Sequence, residues 1–170
     1  MKRVTIGKLN ASFENVKLDI GLVISEFSIS SNSSSAKIDP FELELPTPGE
    51  MKAIVTERAI ADFLEHKAPG GLKEVDIKAH EGKIHLTGKI TLVVNINVDA
   101  TATLEIVNGK ELHVKLLALD ALGGKATTIV ESQLAQINPI LDVKDIPLDV
   151  MFTRVVIEDG LVTVFGQVTG

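Results

Sequence analysis

Few residues of this 170-residue chain are of types that do chemistry, and their spacing decides what they can do. Four histidines stand at positions 66, 80, 85 and 113. His85 and His113 fall on the polar phase of two alternating runs, each shortly after a Gly-Lys turn. Pairing of those runs would let the two imidazoles approach each other and bind a metal. A protein metal site takes three or four such ligands, and no third one stands at a convincing spacing. Solvated histidine on a polar face is the better reading. His66 lies near the end of a helical stretch, where a cation suits the negative end of the dipole.

Carboxylates gather at Asp142, Asp145 and Asp149. A pair of acids does general acid–base work only when burial or a neighbour raises one pKa. Here they lie in the Pro-punctuated segment Leu141-Asp142-Val143-Lys144-Asp145-Ile146-Pro147, which favours solvated loop acids, with Lys144 compensating Asp142. Gly123-Gly124-Lys125-Ala126-Thr127-Thr128 has the Gly, Lys and Thr of a phosphate loop. However, Leu119 stands where the first glycine of G-x-x-x-x-G-K-[ST] is required, so the segment reads as a strand-to-helix turn. No G-x-S-x-G elbow occurs, and Ser30 to Ser35 is loop composition. The expected catalytic residues are therefore none, the expected metal ligands none, and no cofactor is implied.

The elements that would position a site are clearer. From Ile84 to Leu116 the even positions are almost all aliphatic: Ile84, Leu86, Ile90, Leu92, Val94, Ile96, Val98, Ala100, Ala102, Leu104, Ile106, then Leu112, Val114 and Leu116. Successive strand side chains point to opposite faces, so the run makes one aliphatic and one mostly polar face. His80-Glu81-Gly82-Lys83-Ile84 through Gly88 resembles Glu158-Asp159-Gly160-Leu161-Val162 through Gly166, and Asn108-Gly109-Lys110 opens a third, partial copy. Asp-Gly and Asn-Gly are strong hairpin signals, because the turn needs positive φ.

Helices flank these runs. Thr56 caps a helix opened by Glu57-Arg58, with Ile60, Phe63 and Leu64 as its stripe and Pro69-Gly70-Gly71 as its stop. A second begins after Gly123-Gly124 and carries Ala126, Val130, Leu134 and Ile137 on one face. Asn138-Pro139 closes it. Both are one-sided and must dock on something apolar. Residues 1–50 read as short strands: Val16, Leu18, Ile20, Leu22 and Ile24 alternate with a bulge or bend at Gly21, and Phe41, Leu43 and Leu45 alternate before Pro46. The order strands, helix, strands, helix, strands predicts an α+β fold. Its long antiparallel sheet must be strongly curved because strands twist, with Gly82, Gly88 and Gly109 as bend points and one or two amphipathic helices inside the curve. One domain, 1–170, is expected, with N-terminal strands in 1–50 and the helix–strands–helix–hairpin core in 51–170.

Composition excludes several function classes. Net charge is −6, so the chain gains nothing from phosphate backbones, and nucleic acid is not an expected partner. The same charge argues against electrostatic docking on an anionic bilayer. Hydrophobic residues make up 45% of the chain but aromatics only 4%, with a mean hydropathy of +0.26. The hydrophobicity is thus nearly all aliphatic and suits packing against alkyl groups. With no Cys, disulfides and Cys-based metal sites are excluded. The N-terminus MKRVTIGKLNASF has two cations but no apolar region behind them, so no signal peptide is expected, and no apolar run reaches the length of a membrane span.

Several stretches together resemble the LmeA-like family of bacterial phospholipid-binding proteins. They are Val55 to Leu64, Val75 to Ile90 around Glu81-Gly82-Lys83, Ala102 to Lys110, Asn138-Pro139-Ile140-Leu141 through Pro147-Leu148, and Val156 to Val162. The resemblance spans Val55 to Gly166, about two-thirds of the chain, and fits the N-terminal strands more loosely. It implies a tubular lipid-binding (TULIP-like) half-barrel, in which acyl chains lie between curved sheet and helix, and a setting in the cell envelope or periplasm. It supplies no catalytic residues. It implies a non-enzymatic protein that binds or transfers phospholipid or fatty-acyl lipid, with transient membrane contact. The alternative is a structural or protein-interaction domain with a fully packed core. The residues expected to line the lipid groove are Ile60, Phe63, Leu64, Ile90, Leu92, Val94, Ile96, Val98, Leu104, Ile106, Val130, Leu134 and Ile137.

Overall fold

The structure, a computed structural model, describes residues 2–38, 42–45, 47–67, 72–91, 95–121, 124–146 and 148–169, except for the side chains of 43, 44, 120, 121, 124–127 and 129. In chain order the elements are β1 (Lys2–Thr5), β2 (Leu9–Lys17), β3 (Val23–Ser31), β4 (Ser35–Ile38), β5 (Glu42–Glu44), β6 (Gly49–Thr56), α1 (Glu57–Lys67), β7 (Leu72–His80), β8 (Lys83–Thr91), β9 (Asn95–Val107), β10 (Glu111–Ala121), α2 (Gly124–Ile137), β11 (Leu141–Asp142), a 3-10 turn (Val143–Asp145), β12 (Asp149–Glu158) and β13 (Leu161–Thr169). The fold is α+β, as the sequence predicts: mostly antiparallel sheet, strongly curled, with two helices.

The alternating run becomes β8, β9 and β10. These form the middle of a five-stranded sheet in the order β11-β10-β9-β8-β7. Its register places Ile90 opposite Ile96, Leu86 opposite Ala100, Ile84 opposite Ala102, and Leu104 opposite Val114, so the aliphatic positions of successive strands share one face. A second five-stranded sheet has the order β12-β13-β6-β3-β2. Its central strand β6 carries the buried Met51, Ala53 and Val55 and joins the N-terminal strands to the C-terminal hairpin. A small sheet, β1-β4-β5, completes the fold. One hydrophobic cluster contains residues of both large sheets and of α1.

The register slips within β7 between Lys73 and Asp76, within β10 between Leu116 and Ala118, and within β12 between Phe152 and Arg154. Bulges of this kind bend a strand and increase its twist, which supplies curl to both sheets. Gly82 and Gly109 sit in hairpin turns with φ of +79° and +67°, as the turn signals require. Gly88 lies opposite the bulge in β7. It lies mid-strand, and a Cβ there would stand 3.1 Å from Leu72 Cδ1, so the glycine makes room for a neighbouring side chain. The alternation from Val16 to Ile24 spans the corner between β2 and β3, so of the bulge or bend expected at Gly21 it is the bend that forms. There the Gly21 N–H donates to the Leu18 carbonyl at 2.9 Å, with Gly21 at φ +101°. Apolar alternation persists through the corner because Leu18 and Leu22 both turn into the core.

Helix α1 begins where its cap predicts. Thr56 Oγ1 accepts from the Ala59 N–H at 3.1 Å. Ile60, Ala61, Phe63 and Leu64 are buried, while Arg58 and Asp62 pair on the solvent side at 3.1 Å. The helix also closes a sheet edge. Among the described residues strand β7 has no strand partner on its outer side, and α1 supplies acceptors there: Glu57 Oε2 takes the Ala79 N–H at 3.0 Å and Glu65 Oε1 takes the Val75 N–H at 2.9 Å. An open edge is a template for unwanted pairing, and two glutamates from one helix blunt it. Helix α2 lies against β10. Its end is fastened by Asn138, whose side chain accepts from the Val114 N–H at 2.8 Å and donates to the Val114 carbonyl at 2.9 Å.

Candidate functional site

The described residues of the expected lining come from β8, β9 and the two helices. Ile60, Phe63, Leu64, Ile90, Val98, Leu104 and Ile137 are buried. Ile96, Ile106, Val130 and Leu134 are half-buried. Leu92 and Val94 lie outside the described residues. Where α1 packs on β7 and reaches β6 and β3, the aliphatic residues are closed off in the common core. Along β9, β10 and α2 burial is mixed: Val98, Leu104, Leu112 and Ile137 are buried, while Ile96, Ile106, Val114, Leu116, Leu119, Val130 and Leu134 are half-buried.

This strip is physically uniform. Ile106 faces Leu112, Leu104 faces Val114, Ala102 faces Leu116 and Ala100 faces Leu119 across β9 and β10. No charged side chain interrupts these rows. Aliphatic surface of this kind favours alkyl contact, at about 25 cal/mol per Å² removed from water, and it imposes no direction on what it covers.

The groups with reactive chemistry lie elsewhere and do not converge. His85 meets Asp99 on the polar face at 2.5 Å, and His113 meets Glu111 at 3.2 Å. His85 sits opposite Thr101 and His113 opposite Glu105, positions four apart on β9, so the two share no site. His80 Nδ1 pairs with Asp159 across the two hairpin turns. That hydrogen bond, the charge of Asp159 and, least, the charge of Glu81 raise the His80 pKa above its ordinary 6.5. His66 Nδ1 lies 2.7 Å from the Asp62 carbonyl. Among the described residues no group of three or more His, Cys, Asp or Glu could hold a metal ion.

Asp142 departs from the solvated loop acid expected. It is buried, pairs in register with Glu111, accepts from the Lys144 N–H at 2.9 Å and meets Lys144 Nζ at 3.3 Å. Its carboxylate caps the 3-10 turn, which is a structural role. Lys144 compensates its charge as the sequence predicts.

A strongly curled antiparallel sheet, with a continuous aliphatic face part-covered by two helices, defines a class of α+β protein suited to apolar ligands. The chain belongs to the LmeA-like phospholipid-binding family, whose model matches residues 1–167. The match takes in the N-terminal strands, which the resemblance covered only loosely. No curated protein and no solved structure matches the chain significantly. Among the described residues no helix is long and apolar enough to cross a membrane.

One feature escaped the sequence. A cleft of about 780 Å³ lies on the outward face of the second sheet, away from the aliphatic strip. Its residues come from five strands scattered over the whole chain. The one local signal is the polar phase Glu50, Lys52 opposite the apolar phase Met51, Ala53, Val55.

Proposed function

We propose that this protein binds one phospholipid or fatty-acyl chain non-enzymatically in the aliphatic strip between α2 and strands β9 and β10, and passes it between membranes. The observation that carries the reading is the half-burial of Ile96, Ile106, Leu116, Leu119, Val130 and Leu134 on β9, β10 and α2. A finished core would hide these side chains, as it hides Leu104 and Leu112 next to them. The buried members of the lining set, Ile60, Phe63, Leu64, Ile90, Val98 and Ile137, form the wall against which the chain end would rest. Leu92 and Val94 follow β8 and belong to the same phase of the sequence.

Each buried CH₂ of an acyl chain contributes about 0.8 kcal/mol, so a chain of ordinary length is held without a hydrogen bond. Selection among chain lengths is then weak, as a carrier requires. Membrane contact is transient and apolar in this reading, since the net charge is −6. Val4 on β1, Ile6 just after it and Ile38 on β4 stand 43–46% exposed and supply apolar contact.

Native mass spectrometry of the purified protein, paired with analysis of its organic extract, tests binding. One co-purified phospholipid or fatty acid per chain is the expected result. A lipid-free protein that takes up no fluorescent phospholipid would sink the reading and leave the packed interaction domain. Transfer is tested separately, by following fluorescent phospholipid from donor to acceptor vesicles.

A further inference from the structure

The cleft on the outward face of the second sheet has a composition unlike the rest of the molecule. One row of cross-strand neighbours crosses it: Ser12, Ser28, Lys52, Phe165 and Arg154, in register on β2, β3, β6, β13 and β12. The bulge in β12 builds this row. Between Phe152 and Arg154 the register slips, so Phe152 is buried while Thr153 and Arg154 both turn outward. Bulges re-aim side chains in this way. The Arg154 guanidinium then lies over the Phe165 ring, 4.3 Å from its centroid. Lys52 is the neighbour of Phe165 on the other side. Among the described residues neither cation forms an ion pair.

Two unpaired cations flanking an aromatic ring, with serine hydroxyls beside them, are out of character for a chain of net charge −6. Acids limit the strip. Glu50 stands one row away toward one end of the strands, and Glu26, opposite Ile54, one row away toward the other. A compact anion fits between them, whereas an extended polyanion would meet both carboxylates. Adjacent strands lie about 4.8 Å apart, so Lys52 and Arg154 start roughly 10 Å apart, a span that their side chains close around a phosphate.

We propose that this cleft is a binding site for a phosphate monoester. Arg154 supplies a planar fork of N–H donors already oriented by the ring, Lys52 a mobile ammonium, and Ser28 a hydroxyl donor. Ser12 and Ser30 face the remainder of the ester. The site lies on the sheet face opposite the core and does not depend on where an acyl chain binds. The ester is either a soluble one or the headgroup of a phosphatidate-type lipid, because the phosphate chemistry is the same.

The test is an NMR titration of the isotope-labelled full-length protein with glycerol 3-phosphate, using glycerol as the control. Saturable shifts are expected at the Arg154 Nε–H and at the amides of Ser28, Lys52 and Phe165, and none with glycerol. Arg154→Gln and Lys52→Gln each weaken binding about tenfold, the usual effect of one charge-assisted hydrogen bond. Both side chains are exposed, so the circular dichroism of the variants stays unchanged. Shifts that never saturate, or a double variant that binds as well as the parent, would overturn the proposal. Sedimentation with phosphatidate vesicles against phosphatidylcholine vesicles separates the sources. Arg154-dependent pelleting identifies the headgroup, and glycerol phosphate binding without pelleting identifies a soluble ester. Leu134→Ala, which probes the aliphatic strip, leaves the glycerol 3-phosphate shifts unchanged.

Discussion

Gly82 and Gly160 hold each other's hairpins. The Gly82 N–H donates to the Ile157 carbonyl at 3.0 Å, and the Gly160 N–H donates to the Ala79 carbonyl at 3.1 Å. The partners are equivalent in the sequence repeat, Ala79-His80-Glu81-Gly82 against Ile157-Glu158-Asp159-Gly160, so the exchange has local two-fold symmetry. It fixes the β7–β8 hairpin of one sheet to the β12–β13 hairpin of the other. Both glycines have positive φ, +79° and +83°. Space is not the constraint: a Cβ at 82 meets nothing within 4 Å, and one at 160 only Glu57 Oε1 at 3.6 Å. Gly82→Ala and Gly160→Ala should therefore each cost about 1 kcal/mol through backbone strain alone. Asn at either position, which tolerates left-handed backbone, should cost less. Denaturant midpoints of the four variants check this, and equal losses for Ala and Asn would point to contacts rather than backbone.

His80 adds a pH-dependent part to the same clasp. Its pKa is raised above 6.5, first by the hydrogen bond to Asp159 and then by that carboxylate's charge. A raised folded-state pKa means that the protonated ring stabilises the fold. The contribution is fully present below pH 6.5 and is lost as pH rises through the folded value. The pair is exposed, so salt screens it. Asp159→Asn should return the His80 titration, followed by NMR of its ring protons, toward 6.5, and should flatten the pH dependence of stability over that window. A titration that stays put would assign the shift to another group.

Asn138 acts as a one-residue strand. It takes the N–H and returns a donor to the carbonyl of the same residue, Val114. This fastens the end of α2 to β10, while its own N–H completes the helix on the Leu134 carbonyl at 2.9 Å. Asn138→Ala strands both Val114 groups in a half-buried place and should cost about 2 kcal/mol. Asn138→Asp keeps the acceptor but sets a charged oxygen against the Val114 carbonyl, and should cost at least as much. Hydrogen exchange at the Val114 amide should accelerate in both variants. An unchanged rate would mean that another group protects it.

How legible the fold was depended on whether its causes were local. The alternation of Ile84 to Leu116, the turns at Gly82, Gly109 and Gly160, and the cap at Thr56 all act within a few residues, and the structure follows them. Long-range causes stayed hidden. Nothing near Val75 or Ala79 says that Glu65 and Glu57 will cover their amides. The pairing of the two acid-Gly turns joins positions far apart in the chain, although the repeat that makes it possible was visible. Asp142 looked like a loop acid because burial depends on β10, which precedes it by a whole helix. Of the lining set, the sequence picked out the aliphatic face but not how far α1 and α2 would close it, because core and groove residues obey the same alternation.

Leu134 and Leu112 separate those two roles. Leu112 is 1% exposed and sits inside the core cluster, whereas Leu134 is half-buried on α2. Leu112→Ala should cost about 3 kcal/mol, because it opens a cavity that the surrounding strands cannot fill. Leu134→Ala leaves no closed cavity and should cost about 1 kcal/mol, so the protein remains folded. If an acyl chain lies between α2 and β9 and β10, the truncation removes wall from the ligand, and phospholipid uptake should weaken about tenfold. Paired measurement of thermal midpoint and fluorescent-phospholipid uptake reads both effects. A folded Leu134→Ala variant with unchanged uptake would move the acyl chain away from α2. The remaining place would then be the wall beside α1, where Ile60, Phe63 and Leu64 are closed off and would have to separate from β7 to admit it.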